Sequence, residues 1–120
     1  MSFQRLAATT AALVLAASTA MAMDKIDSRD AFLNTLDGRD LTIRLYALSL
    51  EVAENGKING RAVGRDVTGA WTWEDGYFCR SLKWGQMDIP YNCQLVEAHG
   101  NKMRFTTDRG EGRYADFRLR

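Results

Sequence analysis

From residue 41 to the C-terminus, apolar and polar residues alternate in short runs. The segments 48–52, 102–105 and 115–119 each place apolar side chains at every second position. A period of two is typical of a β-strand with one buried face. The pattern therefore predicts a domain built mainly from short strands.

Short glycine-containing turns separate these runs. Asn55-Gly56 and Asp75-Gly76 are the clearest, and such pairs favour two-residue hairpin turns. Hairpins place successive strands side by side, so we predict an antiparallel up-and-down meander of seven to eight strands. Closure into a small barrel would remove exposed strand edges, and an open curved sheet is the alternative.

Two connections and one group of small residues interrupt the alternation. We predict a longer connection over 85–90, because its final proline cannot occupy a central ladder position. The charged segment 108–112 is predicted to be a loop. Gly60, Ala62 and Gly64 share one face of a predicted strand, where we expect them to let tryptophan side chains approach closely. A gap in the interior is the alternative.

One helix is predicted before the strands. Asp27 or Ser28 can cap its N-terminus, Phe32 and Leu36 lie on one face, and Gly38 can end it. A helix of two or three turns is not stable alone. We expect it to cover one end of the sheet.

Residues 1–22 have the features of a secretory signal peptide. Arg5 supplies the positive charge, residues 6–17 are uncharged and mostly apolar, and Ala20 and Ala22 suit cleavage. The apolar run is shorter than the ~20 residues that span a bilayer. We therefore predict a single domain over 23–120, periplasmic or secreted, with no membrane span after cleavage.

The charge of the predicted mature chain is balanced. Removing Arg5 leaves 15 basic and 15 acidic residues. Proteins that bind nucleic acid carry a basic stripe, and attachment to acidic lipid also needs positive charge. The balance therefore argues against a nucleic-acid partner and against electrostatic binding to acidic lipid.

Cys79 and Cys93 are the only cysteines of the chain. In an exported protein such a pair is typically a structural disulfide. Structural zinc needs four ligands at recognisable spacing, which the chain does not offer. We predict a disulfide, no metal and no cofactor.

Aromatic residues are concentrated near these cysteines. They could line an apolar pocket or fill the core of a small barrel. The candidate ligand-binding residues are Trp71, Trp73, Phe78, Arg80, Trp84 and Tyr91.

Arg80 shares a predicted face with Phe78. If that face points inward, Arg80 is a buried cation that needs a partner, such as Glu74, Asp88 or Glu97. The alternative is that Arg80 binds the carboxylate of a ligand.

No catalytic apparatus is visible in the sequence. His99 is the only histidine, and no nucleophile lies beside it. The chain contains no P-loop, no GxSxG, no HExxH and no glycine-rich dinucleotide loop after a strand. We name no catalytic residue and expect a non-enzymatic protein.

The blocks GAWTWEDGYFCRSLKWG, YNCQ and GNKMRFTTDRG resemble those of small exported alphaproteobacterial proteins that often carry the label dihydrodipicolinate reductase. The resemblance covers residues 27–120. The matching residues are Trp71, Trp73, Asp75, Gly76, Cys79, Arg80 and Cys93. The resemblance implies an exported, disulfide-linked scaffold and transfers no residue role from a reductase.

These features together predict an exported small β-barrel that binds an unknown, small, apolar ligand. The alternative is an inhibitor or interaction protein that acts on an exported enzyme or envelope complex. It would use the loops 85–90 or 108–112. A reductase-like activity is a third possibility that rests on the label alone.

Overall fold

A computed structural model of the protein describes residues 22–120. The predicted signal peptide lies outside these residues, apart from its last position. No helix in the described part is long and apolar enough to cross a bilayer. The elements in chain order are β1 (Asp24–Lys25), α1 (Arg29–Leu36), β2 (Leu41–Ile43), β3 (Leu48–Val52), β4 (Lys57–Ala62), β5 (Arg65–Glu74), β6 (Tyr77–Trp84), β7 (Met87–His99), β8 (Lys102–Thr106) and β9 (Tyr114–Leu119). Short 3₁₀ turns follow β2 and β8.

Eight of the strands form a closed antiparallel barrel. From β2 to β9 each strand pairs with the next, and β9 pairs back with β2. The predicted mainly-β meander is confirmed, and the structure selects the barrel over the open sheet. The additional strand β1 extends the edge of β7 beside Glu97 and Ala98, and no sequence pattern predicted it.

The seam between β2 and β9 is short. It contains the register pairs Leu41–Leu119 and Thr42–Arg118. Because β2 ends at Ile43, the first half of β9 has no partner on that side. Ala115 lies opposite the buried Phe105 on β8, yet Ala115 itself is exposed. The barrel therefore has a lateral gap at the start of β9.

The helix α1 closes one end of the barrel. Its N-cap is Ser28, whose Oγ accepts a hydrogen bond from the Ala31 amide at 3.1 Å. Its C-cap is Asp37, in the left-handed region with φ 48°. Phe32 and Leu36 are buried, as predicted from their spacing. The helix therefore presents its apolar face to the barrel interior.

The loops of the barrel divide into two sets. The β3–β4, β5–β6 and β7–β8 loops surround α1, and we call this the closed end. Arg39 anchors it by donating from Nη1 to the Asn101 side chain at 2.9 Å. The other four hairpin loops lie at the opposite end, which we call the open end.

The prediction of a longer connection over 85–90 is wrong. Only Gly85 and Gln86 form the turn, and β7 already begins at Met87. The strand pairing shifts register between Arg80 and Leu82, which places two residues of β7 opposite one residue of β6. Pro90 lies in this bulge, where a proline requires no ladder hydrogen bond.

The small residues of β4 have a different role from the predicted one. A Cβ atom at Gly60 would clash with the Ser49 carbonyl oxygen and with Leu50. Strand β3, rather than a tryptophan, is thus the close neighbour. Gly64 lies outside the strand, in the β4–β5 turn, with φ +76°. Gly69 makes a similar close approach on β5, so glycine permits tight coiling of the barrel wall at both places.

Candidate functional site

The barrel interior contains a cavity of about 290 Å³. Its walls are mainly apolar and include Leu50, Ile58, Phe105 and Phe117. Ligand sites in proteins commonly span ~300–1,000 Å³, so this cavity is at the small end of that range. It has the volume of about ten water molecules at ~30 Å³ each.

The lateral gap gives access to this cavity. Tyr114 and Ala115, at the start of β9, belong to its lining, and so does Leu48, at the start of β3. These residues flank the place where β2 has ended. The opening therefore follows directly from the unequal lengths of β2 and β9.

Besides the phenol of Tyr114, four polar side chains interrupt the apolar lining. They are Gln94, Thr107 and the two arginines Arg80 and Arg113. Among the residues that the structure describes, no aspartate or glutamate belongs to the lining. Because both charged groups are cations, the cavity carries positive charge against an apolar wall.

Arg80 is the more enclosed of the two arginines. Its Nη1 donates a hydrogen bond to the Pro90 carbonyl oxygen at 2.7 Å, across the β6–β7 bulge. Burial lowers the pKa of the guanidinium from its usual value. An arginine remains charged at neutral pH in proteins, so the group is a partly desolvated cation.

The acidic residues expected to pair with Arg80 are engaged elsewhere. Glu74 accepts a hydrogen bond from the hydroxyl of Tyr91 at 2.9 Å, on the outer surface. Asp88 lies 3.7 Å from a lysine of β6, and Glu97 lies opposite an arginine of β8. Within residues 22–120, Arg80 forms no ion pair.

Three of the predicted pocket aromatics lie around α1. The ring centroids of Trp71 and Trp73 are each 5.4 Å from that of Phe32, and that of Phe78 is 5.2 Å away. Trp71 is 4% exposed, and its indole N–H donates to the Ala53 carbonyl oxygen at 2.8 Å. Of the three, only Phe78 also lines the cavity. The two tryptophans fill the closed end.

The remaining two predicted aromatics lie apart from the cavity. Trp84, at the open end, donates from its indole N–H to the Ala62 carbonyl oxygen at 2.7 Å. The Arg65 guanidinium lies over its ring, 4.8 Å from the centroid. Tyr91 is 57% exposed on the outside of the barrel, bonded to Glu74.

Cys79 and Cys93 lie directly opposite each other on β6 and β7 and form the predicted disulfide. Together with Glu74 they form a compact group of potential metal ligands. Sulfur atoms that are bonded to each other supply no thiolate, the form of cysteine that binds metal. The two cysteines therefore form a cross-link between β6 and β7.

Sequence reasoning did not single out Gln94, Arg113 or Ala115. Gln94 alternates with the buried Val96, so a polar side chain at a core-facing position could have marked it. Arg113 directly follows the charged segment 108–112, which the sequence predicts to be a loop. Alternation predicts Ala115 on the same face as Phe117 and Leu119, and only the length of β2 places it at an opening.

A second, shallower depression of about 880 Å³ lies on the outer side of the seam. Several basic side chains line it, including Arg44, Lys102 and Arg118. Lys102 lies 3.6 Å from the Asp116 carboxylate, which offsets part of the charge. Since the depression faces solvent, it cannot exclude water from a small ligand as the barrel interior can.

No protein-family model, curated protein or solved structure matches this chain significantly. The resemblance to exported alphaproteobacterial proteins stays a prediction. The functional argument therefore depends on the geometry of the barrel.

Proposed function

We propose that the protein is an exported binding module that holds one small, largely apolar molecule inside its barrel. The cavity is the observation that supports this proposal. It combines apolar walls, a few polar groups and an opening beside Ala115, which is the usual composition of a small-molecule site. A disulfide between Cys79 and Cys93 fits a protein that works in an oxidising compartment.

Blocking the opening tests this proposal. Ala115→Trp places a large side chain at the gap, and Ala70→Trp places the same side chain on an exposed position of β5. We expect native mass spectrometry of the mature protein, purified gently from its own source, to find one extra mass of a few hundred daltons. This mass should be lost in Ala115→Trp and kept in Ala70→Trp. Absence of bound mass in the unmodified protein, or equal binding by both variants, contradicts an internal ligand.

A second candidate function is binding to an exported protein partner. An apolar tip at the open end favours it, formed by Leu45, Tyr46 and Val63, which are 83%, 53% and 61% exposed. The Val63 amide donates to the Tyr46 carbonyl oxygen at 2.9 Å, so the two loops are held together. Exposed apolar clusters of this kind are common in interaction surfaces.

The tip gives this alternative its own test. The double variant Leu45→Ser with Val63→Ser should abolish capture of an enzyme or envelope complex from the periplasm. The Ala115→Trp variant should retain that capture. A capture that survives loss of the tip excludes this surface as the binding site.

A further inference from the structure

The cavity volume restricts the size of the ligand, and the charge of the cavity lining restricts its charge. Apolar walls alone accept any neutral hydrophobic molecule of the right volume. This cavity contains Arg80 and Arg113 and no acidic side chain. A cationic ligand would be repelled there, and a neutral one would leave the guanidinium of Arg80 with incomplete solvation.

Arg80 has unused hydrogen-bonding capacity. A guanidinium has five N–H donors in a planar fork. Arg80 uses Nη1 for the Pro90 carbonyl oxygen, and within residues 22–120 no carboxylate lies within ion-pair distance. Burying part of a cation without a counter-ion costs free energy, which a bound anion would recover.

The position of Arg80 is held by its surroundings. It lies on β6 directly after Cys79, whose disulfide to Cys93 clamps β6 to β7. The bulge next to it brings the Pro90 carbonyl into reach. A guanidinium oriented in advance loses less conformational entropy when it binds an anion.

We propose that the ligand is a singly charged amphiphile of the carboxylate type, with its head on the Arg80 guanidinium and its apolar body in the barrel cavity. This inference rests on the proposed function. The planar fork of arginine matches the two oxygens of a carboxylate. The volume allows an apolar acid of on the order of ten non-hydrogen atoms. Arg113, at the mouth, adds a second positive charge near the head group.

Three ligands of equal length separate charge from apolar burial. Octanoate, 1-octanol and octylamine are titrated by calorimetry into the mature, disulfide-bonded protein. We expect octanoate to bind about ten- to a hundredfold more tightly than octanol, as for hydrogen bonds to a charged group. Octylamine should bind most weakly.

Two arginine variants show which arginine causes the preference for octanoate over octanol. Arg80→Met removes the charge inside the barrel but retains a long apolar side chain. Arg61→Met removes the same charge from the outer surface, where Arg61 pairs with Asp66 at 2.9 Å. We expect Arg80→Met to remove the preference for octanoate over octanol, and Arg61→Met to leave that preference unchanged.

The outcomes distinguish the two proposals. If octanol binds the unmodified protein as tightly as octanoate, the carboxylate inference fails and the cavity-binding proposal stands. If none of the three ligands binds, the carboxylate inference fails, and the bound mass in the unmodified protein and in Ala115→Trp decides the cavity-binding proposal. If Arg61→Met reduces octanoate affinity as much as Arg80→Met, the attraction is a property of the whole surface and the inference is overturned.

Discussion

Aromatic rings fill the closed end of the barrel, whereas the other half of its interior holds a cavity beside a partly buried arginine. At the closed end Phe32 is completely buried, and the centroids of four aromatic rings lie 5.2–6.2 Å from the centroid of its ring. In the other half, Arg80 forms a single side-chain hydrogen bond among residues 22–120, to a backbone carbonyl. One continuous barrel therefore combines a tightly packed region with a region that holds a cavity and an arginine with unused hydrogen-bond donors.

The contrast separates residues that stabilise the fold from the candidate binding residues. Close packing of large rings contributes most of the burial energy available to a small domain. A cavity and an unpaired cation contribute nothing to folding and reduce stability. Stabilising residues are thus expected at the closed end, and residues selected for binding are expected around Arg80 and Ala115.

The largest effect should come from removing the centre of the closed end. Phe32→Ala deletes a fully buried ring and should lower the free energy of unfolding by about 3–5 kcal/mol. Leu45→Ala, at an 83% exposed position, should change it by less than about 0.5 kcal/mol. Urea denaturation followed by tryptophan fluorescence measures both. A loss below about 1 kcal/mol for Phe32→Ala would mean that α1 does not hold this end closed.

Removal of the disulfide should cause the second-largest loss of stability. Replacing Cys79 and Cys93 together by alanine opens a loop with a sequence separation of 14. The chain-entropy model gives a loss of about 3 kcal/mol for a loop of this length. Denaturation of the double variant, compared with the oxidised unmodified protein, measures this loss, and the reduced unmodified protein is the control. Equal stability of oxidised and reduced protein would contradict the contribution of the cross-link.

Arg80→Met should change the free energy of unfolding only slightly, and in the direction opposite to the two losses above. In the absence of ligand it removes a desolvated cation, so the free energy of unfolding should stay unchanged or rise by up to about 1 kcal/mol. Thermal unfolding of the ligand-free protein measures this, with Arg61→Met as the matched surface control. A loss of about 2 kcal/mol or more would identify Arg80 as a structural residue and remove the contrast between the two regions.

The smallest effect concerns a surface pair on the outside of the barrel. Arg104 donates two hydrogen bonds to the Asp116 carboxylate, at 2.7 and 3.0 Å, and they lower the pKa of Asp116. A lowered carboxyl pKa stabilises the fold above the ordinary value of about 4, and this stability is lost as the pH falls through the folded-state pKa.

Asp116→Asn should therefore lower the thermal midpoint slightly at pH 7, and the difference from the unmodified protein should shrink toward pH 3. The control is Asp88→Asn, which removes a more exposed and longer ion pair, 3.7 Å from Lys83. Thermal unfolding across this pH range measures both. A difference that grows on acidification would contradict the lowered pKa.

Local patterns predicted the local structure well. Alternation located the strands, Asp75-Gly76 marked a turn whose two residues have φ 51° and 86°, and Ser28 caps α1. The pairing of Cys79 with Cys93 was also predictable, because two cysteines behind a predicted export signal leave one partner each. All these signals lie within a few residues or depend on a simple count.

The candidate site could be predicted only in part. Alternation placed Arg80 on the face of Phe78, but it could not say whether Glu74, Asp88 or Glu97 would reach it. Those contacts depend on strand register and on the bulge at Pro90. In the same way, the sequence pattern did not distinguish Trp71, which is buried in the core, from Tyr91, which is exposed on the surface.

The sequence alone determined most of the strands, several turns, the helix and the disulfide, because these follow from short-range patterns or from the count of two cysteines. Only the tertiary structure decided that β9 closes onto β2 through two register pairs, and that this short seam leaves Ala115 at an opening. The physical reason is that barrel closure joins residues far apart in the chain. Its register is set by the summed twist and coiling of all eight strands, which no local pattern contains.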